Sequence, residues 1–289
     1  MAIAAVLISR FRRSLAEIVW PGLTVLLVIE LCVVSLLLEV VFSSLKYQLL
    51  YHRLGIRIRF RDVVVLDVAT ASAGVVAPAK SELFVRAAYL AAEKYCSFTQ
   101  ALGTSFYNLF SNLLALVFLL VILAPAALPI SAVLGFAGAV IIAAAFFLAP
   151  AAVRSYGPNR VRGDAAGLPR GWMQIWLFLL SFGRALSVPL LLAMLFHSFS
   201  INVPWFRLGF RGALVELASQ LPITVAGTGL RESSLLFFFR ASGSPGSLLV
   251  CGAVLTVVTR LLPAALGLPF FWRLMAAARL RSKEDKPGA

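Results

Sequence analysis

Long apolar runs alternate with short polar ones along nearly the whole chain, and their lengths predict helices that cross a bilayer. Residues 21–45, 99–124, 131–152, 172–196 and 247–271 are each close to or beyond the ~20 apolar residues that a crossing needs. Two further stretches behave differently. Residues 62–98, and residues from Arg207 to about Arg240, are pairs of short apolar segments parted by Pro, Gly and charged residues. Neither member of a pair is long enough to cross comfortably, so each pair is read as a re-entrant helical hairpin. Residues 1–20 show a third pattern. Ile3, Leu7, Phe11, Leu15 and Ile18 fall on one side, with Arg10, Arg12, Arg13 and Glu17 on the rest. That suits an amphipathic helix lying along the interface, and a basic terminus without a fixed face is the alternative.

The hairpin breaks organise the rest. The sequence LPITVAGTGLRE, Leu221 to Glu232, is interrupted by Pro222, Gly227 and Gly229 and closed by Arg231 and Glu232. Such a break frees backbone amides and carbonyls that lipid cannot satisfy, so it survives only when buried in protein or lining a polar cavity. A weaker counterpart runs from Leu66 to Arg86, with Asp67, Pro78, Lys80 and Glu82. The separation of Asp67 from Glu82 nearly matches that of Glu216 from Glu232. The pattern predicts an all-α polytopic membrane protein of two inverted structural repeats, each holding one broken hairpin, with the binding site near the midplane. The whole chain, 1–289, reads as one membrane domain. The first repeat is about 21–152, a linker follows at 153–170, the second repeat is about 171–272, and a basic tail occupies 273–289.

Composition agrees. The chain is 61% hydrophobic and 13% charged, which excludes a soluble domain, and no polar stretch is long enough to form a separate catalytic module. The net charge of +14 sits in clusters beside apolar spans and does not call for a nucleic-acid partner. Residues 46–61, with Lys46, Arg53, Arg57, Arg59 and Arg61, read as a cytoplasmic loop. So does 153–170, and the tail places the C-terminus in the cytoplasm. The uncharged turn 125–130 and residues 197–206 are expected outside. The N-terminus carries its apolar residues before its arginines, the reverse of a secretory signal, so no cleavage is expected. Cys32, Cys96 and Cys251 are isolated and only His52 and His197 are present, so neither a disulfide framework nor a metal centre is expected. No cofactor is implied.

Charges inside the apolar spans carry the candidate chemistry. Arg184 and Arg260 each stand about twelve residues from either end of a span, roughly 18 Å at 1.5 Å per residue, too far for the side chain to reach water along the helix. A central arginine costs ~2.5–3.5 kcal/mol, so something must offset it. One reading is an ion pair with Glu216, Glu232, Asp67 or Glu39. The other is a cradle for an anionic group, phosphate above all, which suits the planar guanidinium fork. The two are compatible if substrate displaces a carboxylate. In the first span Ser35, Glu39, Ser43 and Lys46 form one polar stripe, with Glu30 on the other side. Gln100, Thr104, Asn108 and Ser111 line one face of the next full span, beside Tyr107 and Asn112, and are expected to join helices. At the hairpin tips, helices beginning after Pro78 or Gly229 would aim free amides at an anion. Lys80, Arg86 and Arg231 add positive charge there, and Glu82 and Glu232 balance it. No nucleophile–base set can be built from two loop histidines, so no catalytic residue is assigned and no enzyme is expected.

Two motifs resemble a known family. VAPAKSELFVRAAYL (76–90) is similar to its Pro–x–basic–x–Glu–x–x–x–Arg region, and LPITVAGTGLRE (221–232) to its Leu–Pro…Gly–x–Gly–x–Arg–Glu signature. KYQLLYHRLG (46–55) is similar to the basic stretch before the first motif. The family is that of flippase-like membrane proteins named after the transmembrane region of lysylphosphatidylglycerol synthase, and the similarity covers roughly residues 25–272. Members often carry a Glu–Arg…Asp pattern where this chain has Tyr107, Asn108 and Ser111. An N-terminal span usual in the family is here missing or reduced to residues 1–20. The resemblance implies movement of a lipid head group across the cytoplasmic membrane of a prokaryote. The cargo would be an anionic lipid or a polyprenyl-linked precursor, in the family's range of aminoacylated phospholipids, polyprenyl-linked sugars and hopanoid-related lipids. The soluble aminoacyl-transfer domain of the synthases has no counterpart, so the chain is not expected to make the lipid. Two rival readings remain, a secondary transporter for a small anion and a non-transporting partner of a lipid-modifying enzyme. Membrane lipids are partners in every case, and a homo-oligomer is left open.

Overall fold

A computed structural model describes residues 25–76, 81–93, 95–127, 137–138, 141, 171–220 and 229–284. The expected surface helix at 1–20, the linker 153–170, nearly all of the span at 131–152, and Pro78, Lys80, Pro222 and Gly227 lie outside the described residues. Every regular element among the described residues is helical. In chain order they are α1 (Val25–Ser35), a π turn (Leu36–Val41), α2 (Phe42–Arg53), α3 (Phe60–Val76), α4 (Ser81–Ala92), α5 (Phe98–Ala127), α6 (Trp172–Ala185), α7 (Ser187–Ser198), α8 (Trp205–Ser219), α9 (Leu230–Phe239), α10 (Pro245–Thr256), a second π turn (Val257–Leu261) and α11 (Leu262–Glu284).

Four continuous segments among them are long and apolar enough to cross a membrane: Leu26–Arg53, Phe98–Pro125, Trp172–Ser198 and Pro245–Arg273. Their sequence explains their two faces. On α1, Leu26, Ile29 and Val33 are exposed at three- and four-residue spacing, while Leu27, Leu31 and Ser35 are buried. The outward stripe suits lipid, and the inward stripe packs on protein. The carboxylate of Glu30 falls on the exposed side.

Two expectations are corrected. Residues 46–53 are not loop, because helix α2 continues to Arg53 and only 54–59 separate it from α3. Lys46 is completely buried, its Nζ donating to Ser111 Oγ and Asn112 Oδ1. Residues 125–127 are not turn either, since α5 runs through Pro125 to Ala127, and 128–130 lie outside the described residues.

The short segments pair as the spacing predicts. α3 packs on α4, and α8 on α9. α3 also lies along α11, close enough that a methyl on Gly267 would strike the Val68 carbonyl. The Ser72 hydroxyl donates to the Ala264 carbonyl at 2.6 Å across that contact. Between α6 and α7 the helix is interrupted at Leu186. Pro189 has no N–H for the Ala185 carbonyl, which is where an α ladder fails.

The apolar cores fall into two main groups. One gathers Leu27, Leu31, Leu191, Leu195, Phe196, Leu235, Phe239 and Leu248 from α1, α7, α9 and α10. The other gathers Tyr47, Leu50, Tyr51, Val63, Leu66, Leu90 and Leu177 from α2, α3, α4 and α6.

Candidate functional site

The two π turns place the first pair of charges. A π turn carries one residue more than an α turn, which re-aims the side chains that follow and recurs at functional sites. Glu39 stands in the first and Arg260 in the second. The residue that precedes the first turn is tied to the second, for Ser35 Oγ donates to the Val258 carbonyl at 3.1 Å.

From the first turn, Glu39 reaches across to the α6–α7 interruption. Its Oε2 accepts from Arg184 Nε at 2.9 Å and its Oε1 from Ser187 Oγ at 2.6 Å. In the second helix pair, Glu216 of α8 takes Arg231 of α9. Arg231 Nη2 donates to Glu216 Oε2 at 2.8 Å, and Arg231 Nη1 donates to Thr259 Oγ1. Glu216 also accepts from Ser219 Oγ at 3.0 Å and from Gln220 Nε2 at 2.6 Å. Arg260 approaches the same carboxylate more loosely, Nη2 to Oε1 at 3.6 Å, an ionic contact beyond hydrogen-bond range.

The first helix pair repeats the arrangement. Asp67 of α3 takes Arg86 of α4, and Arg86 Nη2 also donates to Thr70 Oγ1 at 2.8 Å. The guanidinium lies over the Tyr47 ring, 3.6 Å from its centroid, a favourable cation–π contact. In each pair the first arm supplies the acid and the second arm the arginine. The expected correspondence of Asp67 to Glu82 with Glu216 to Glu232 therefore resolves differently, as Asp67–Arg86 with Glu216–Arg231.

A cavity of about 150 Å³ lies among these groups. Its walls include Glu39, Ser43, Asp67, Glu82, Arg86, Asn108, Asn112, Arg184, Gln220 and Arg260. A smaller void of about 20 Å³, walled by Glu39, Asn112, Ser181, Arg184, Glu216 and Gln220, lies between the two carboxylate systems. The four arginines divide by exposure. Arg86 and Arg231 are 4% and 2% exposed, whereas Arg184 and Arg260 are 21% and 23% exposed. The first two are locked into the helix pairs. The last two are part-exposed and line the cavity.

Both mid-span arginines are ion-paired, as one of the two readings had it, Arg184 to Glu39 and Arg260 to Glu216. Other expectations change here. Arg231 is no free charge at a hairpin tip and is not part of the cavity wall, because Glu216 draws it into the protein. Glu232 pairs with no arginine among the described residues. Its Oε2 accepts from the Gly229 amide at 2.7 Å, capping α9, and its Oε1 from Thr256 Oγ1 at 2.9 Å. Gly229 holds φ at +86°, which glycine adopts without strain. Glu82 likewise does not balance an arginine: it faces the cavity and forms no ion pair among the described residues.

The polar face of α5 proves to be more than a helix contact. Lys46 Nζ donates to Ser111 Oγ at 2.9 Å and to Asn112 Oδ1 at 2.6 Å, while Asn108 and Asn112 line the cavity. Thr70, Ser187, Gln220 and Thr259 carry no mark in the sequence pattern that separates them from other polar residues of the spans. Thr259 and Ser187 do stand one and three residues from the mid-span arginines, which is the signal that could have flagged them. No cluster of three or more metal-ligating side chains occurs among the described residues.

A family model described as the lysylphosphatidylglycerol synthase TM region matches residues 1–267. No curated protein matches the chain, and no solved structure does.

Proposed function

The chain belongs to the family of the lysylphosphatidylglycerol synthase transmembrane region, a membership that makes it a membrane protein related to lipid handling, and from that premise we propose that it moves a phosphate-bearing lipid or lipid-linked precursor across the bilayer. The observation that carries the reading is the pair of mid-span arginines, Arg184 and Arg260, part-exposed in a cavity within the membrane-crossing segments. Each contacts a single protein carboxylate. A lipid phosphate offers the same bidentate acceptor geometry as a carboxylate and would exchange with Glu39 or Glu216. Arg86, Arg231 and Glu232 hold the helix pairs that frame the cavity. Gly229 opens the second arm of the second pair.

In this reading α3–α4 and α8–α9 are re-entrant hairpins of an inverted repeat, and their matched acid–arginine pairs support it. The basic clusters support a cytoplasmic C-terminus in the inner membrane of a prokaryote. The chain acts as a carrier and not as an enzyme, and any lipid-synthesising partner supplies its cargo.

The test is reconstitution into vesicles with a fluorescently labelled phospholipid, following its exposure to a membrane-impermeant quencher. The wild-type chain accelerates exchange between leaflets, and Arg184→Ala abolishes the acceleration while the protein stays monodisperse. Exchange at the wild-type rate in Arg184→Ala would remove that arginine from the site. One observation favours a second reading: every arginine of the site already has a carboxylate. If the charges only hold the helices together, the chain is a non-transporting partner of a lipid-modifying enzyme, and the purified protein moves nothing.

A further inference from the structure

Five carboxylates stand in or beside the charged centre, and four of them are occupied. Glu39 holds Arg184 and Ser187, and Asp67 holds Arg86. Glu216 holds Arg231, Ser219 and Gln220, and Glu232 holds the Gly229 amide and Thr256. Glu82 is the fifth. Among the described residues it has neither an ion pair nor a hydrogen bond, and it lines the same cavity as Arg184 and Arg260.

Its carboxylate is nonetheless positioned. The α3–α4 contact brings it against the backbone of Gly74, where any Cβ would meet Glu82 Oε2. The absence of a Cβ at Gly74 leaves room for the carboxylate there. The cavity wall carries three arginines, Arg86, Arg184 and Arg260, and three carboxylates, Glu39, Asp67 and Glu82. A ligand that brought only negative charge would meet Glu82 unfavourably. One that brought a hydrogen-bond donor beside its phosphate would satisfy both sides.

We propose that Glu82 reads the head group, accepting from an ammonium or hydroxyl donor that the cargo carries next to its phosphate. The inference rests on the lipid-handling reading above and adds a recognition residue to it. Charge-assisted hydrogen bonds are the stronger kind, so the donor contributes a preference of roughly 10-fold or more over a head group without one. A carboxylate in the first turn of α4 also favours that helix through its dipole, and the test must separate this role from recognition.

The experiment is native mass spectrometry of the full-length protein. It is presented with phosphatidylethanolamine, phosphatidylglycerol and phosphatidylcholine of identical acyl chains. All three share a phosphodiester, but the first offers an ammonium donor, the second hydroxyl donors and the third neither. The wild type retains one or both donor-bearing lipids about 10-fold over phosphatidylcholine, and which one identifies the donor. Glu82→Gln and Glu82→Ala lose that preference yet keep the phosphodiester affinity. Arg184→Ala lowers retention of all three alike. An equal preference in wild type and both Glu82 variants overturns the proposal, as does a wild type blind to the donor. A Glu82 variant that melts lower with unchanged selectivity shows a helix-dipole role only, and also overturns it. Failure of the wild type to retain any of the three lipids, or retention indifferent to Arg184→Ala, strikes the lipid-handling reading itself.

Discussion

Glu216 is shared by two arginines that the structure ranks very differently, and removing each in turn measures that ranking. Arg231 is 2% exposed and donates to Glu216 at 2.8 Å, with Thr259 and Ser219 as further acceptors. Taking one partner from a buried, hydrogen-bonded pair costs about 3–5 kcal/mol, because the other charge stays behind. Ser219, Gln220 and Arg260 still face the carboxylate, so the lower end, about 3 kcal/mol, is expected for Arg231→Met. Arg260 is 23% exposed and touches Glu216 only at 3.6 Å. Arg260→Met should therefore cost about 1 kcal/mol or less, the range of solvent-reached pairs. At about 2–4 °C per kcal/mol, the first variant melts roughly 6–12 °C lower and the second no more than about 4 °C lower. The assay is thermal unfolding of the detergent-solubilised protein, followed by loss of the monodisperse peak on size-exclusion chromatography. Adding Glu216→Gln to Arg231→Met should restore part of the loss, since the stranded charge is then gone. Equal melting shifts for the two single variants would refute the division into a locked and a working arginine, and so would a double variant no more stable than Arg231→Met alone.

Other outcomes follow from single contacts. Glu39→Gln weakens two charge-assisted bonds, to Arg184 and Ser187, and should lower stability by about 1.5–3 kcal/mol in the same melting assay. Gly267→Ala sets a methyl against the Val68 backbone carbonyl, which cannot yield as a side chain can. It should cost about 3 kcal/mol or more and reduce the yield of monodisperse protein. Gly103→Ala, inside α5 with nothing within 4 Å of the added Cβ, should be neutral or stabilising by up to about 1 kcal/mol.

Charge inside an apolar run is legible in the amino-acid sequence, and for that reason Arg184 and Arg260 stand out there. Their partners are not legible. Glu39 meets Arg184 across 145 residues, and four carboxylates satisfy the same requirement for a counter-charge. Lys46 misleads because a lysine at the edge of an arginine-rich stretch looks like a loop cation. Only the neighbouring helix, with Ser111 and Asn112, shows that it is buried. The acid–arginine match between the two helix pairs is visible in outline and hidden in detail. Spacing along the chain favours Glu82 and Glu232, while the geometry of packed arms selects Arg86 and Arg231. The π turns leave no mark in the sequence, since Leu, Val, Thr and Arg occur equally in α helices.

Those two turns make chain length part of the site. Each holds one surplus residue, and deleting it would rotate everything on one side by about 100°, the angle of a single helical residue. After such a deletion in Leu36–Val41, Ser35 would no longer face Val258, although every charged side chain was still encoded. Related chains can therefore keep all the arginines and carboxylates and still lose the constellation through one missing codon. An alignment that closes gaps freely within 36–41 or 257–261 would hide that loss.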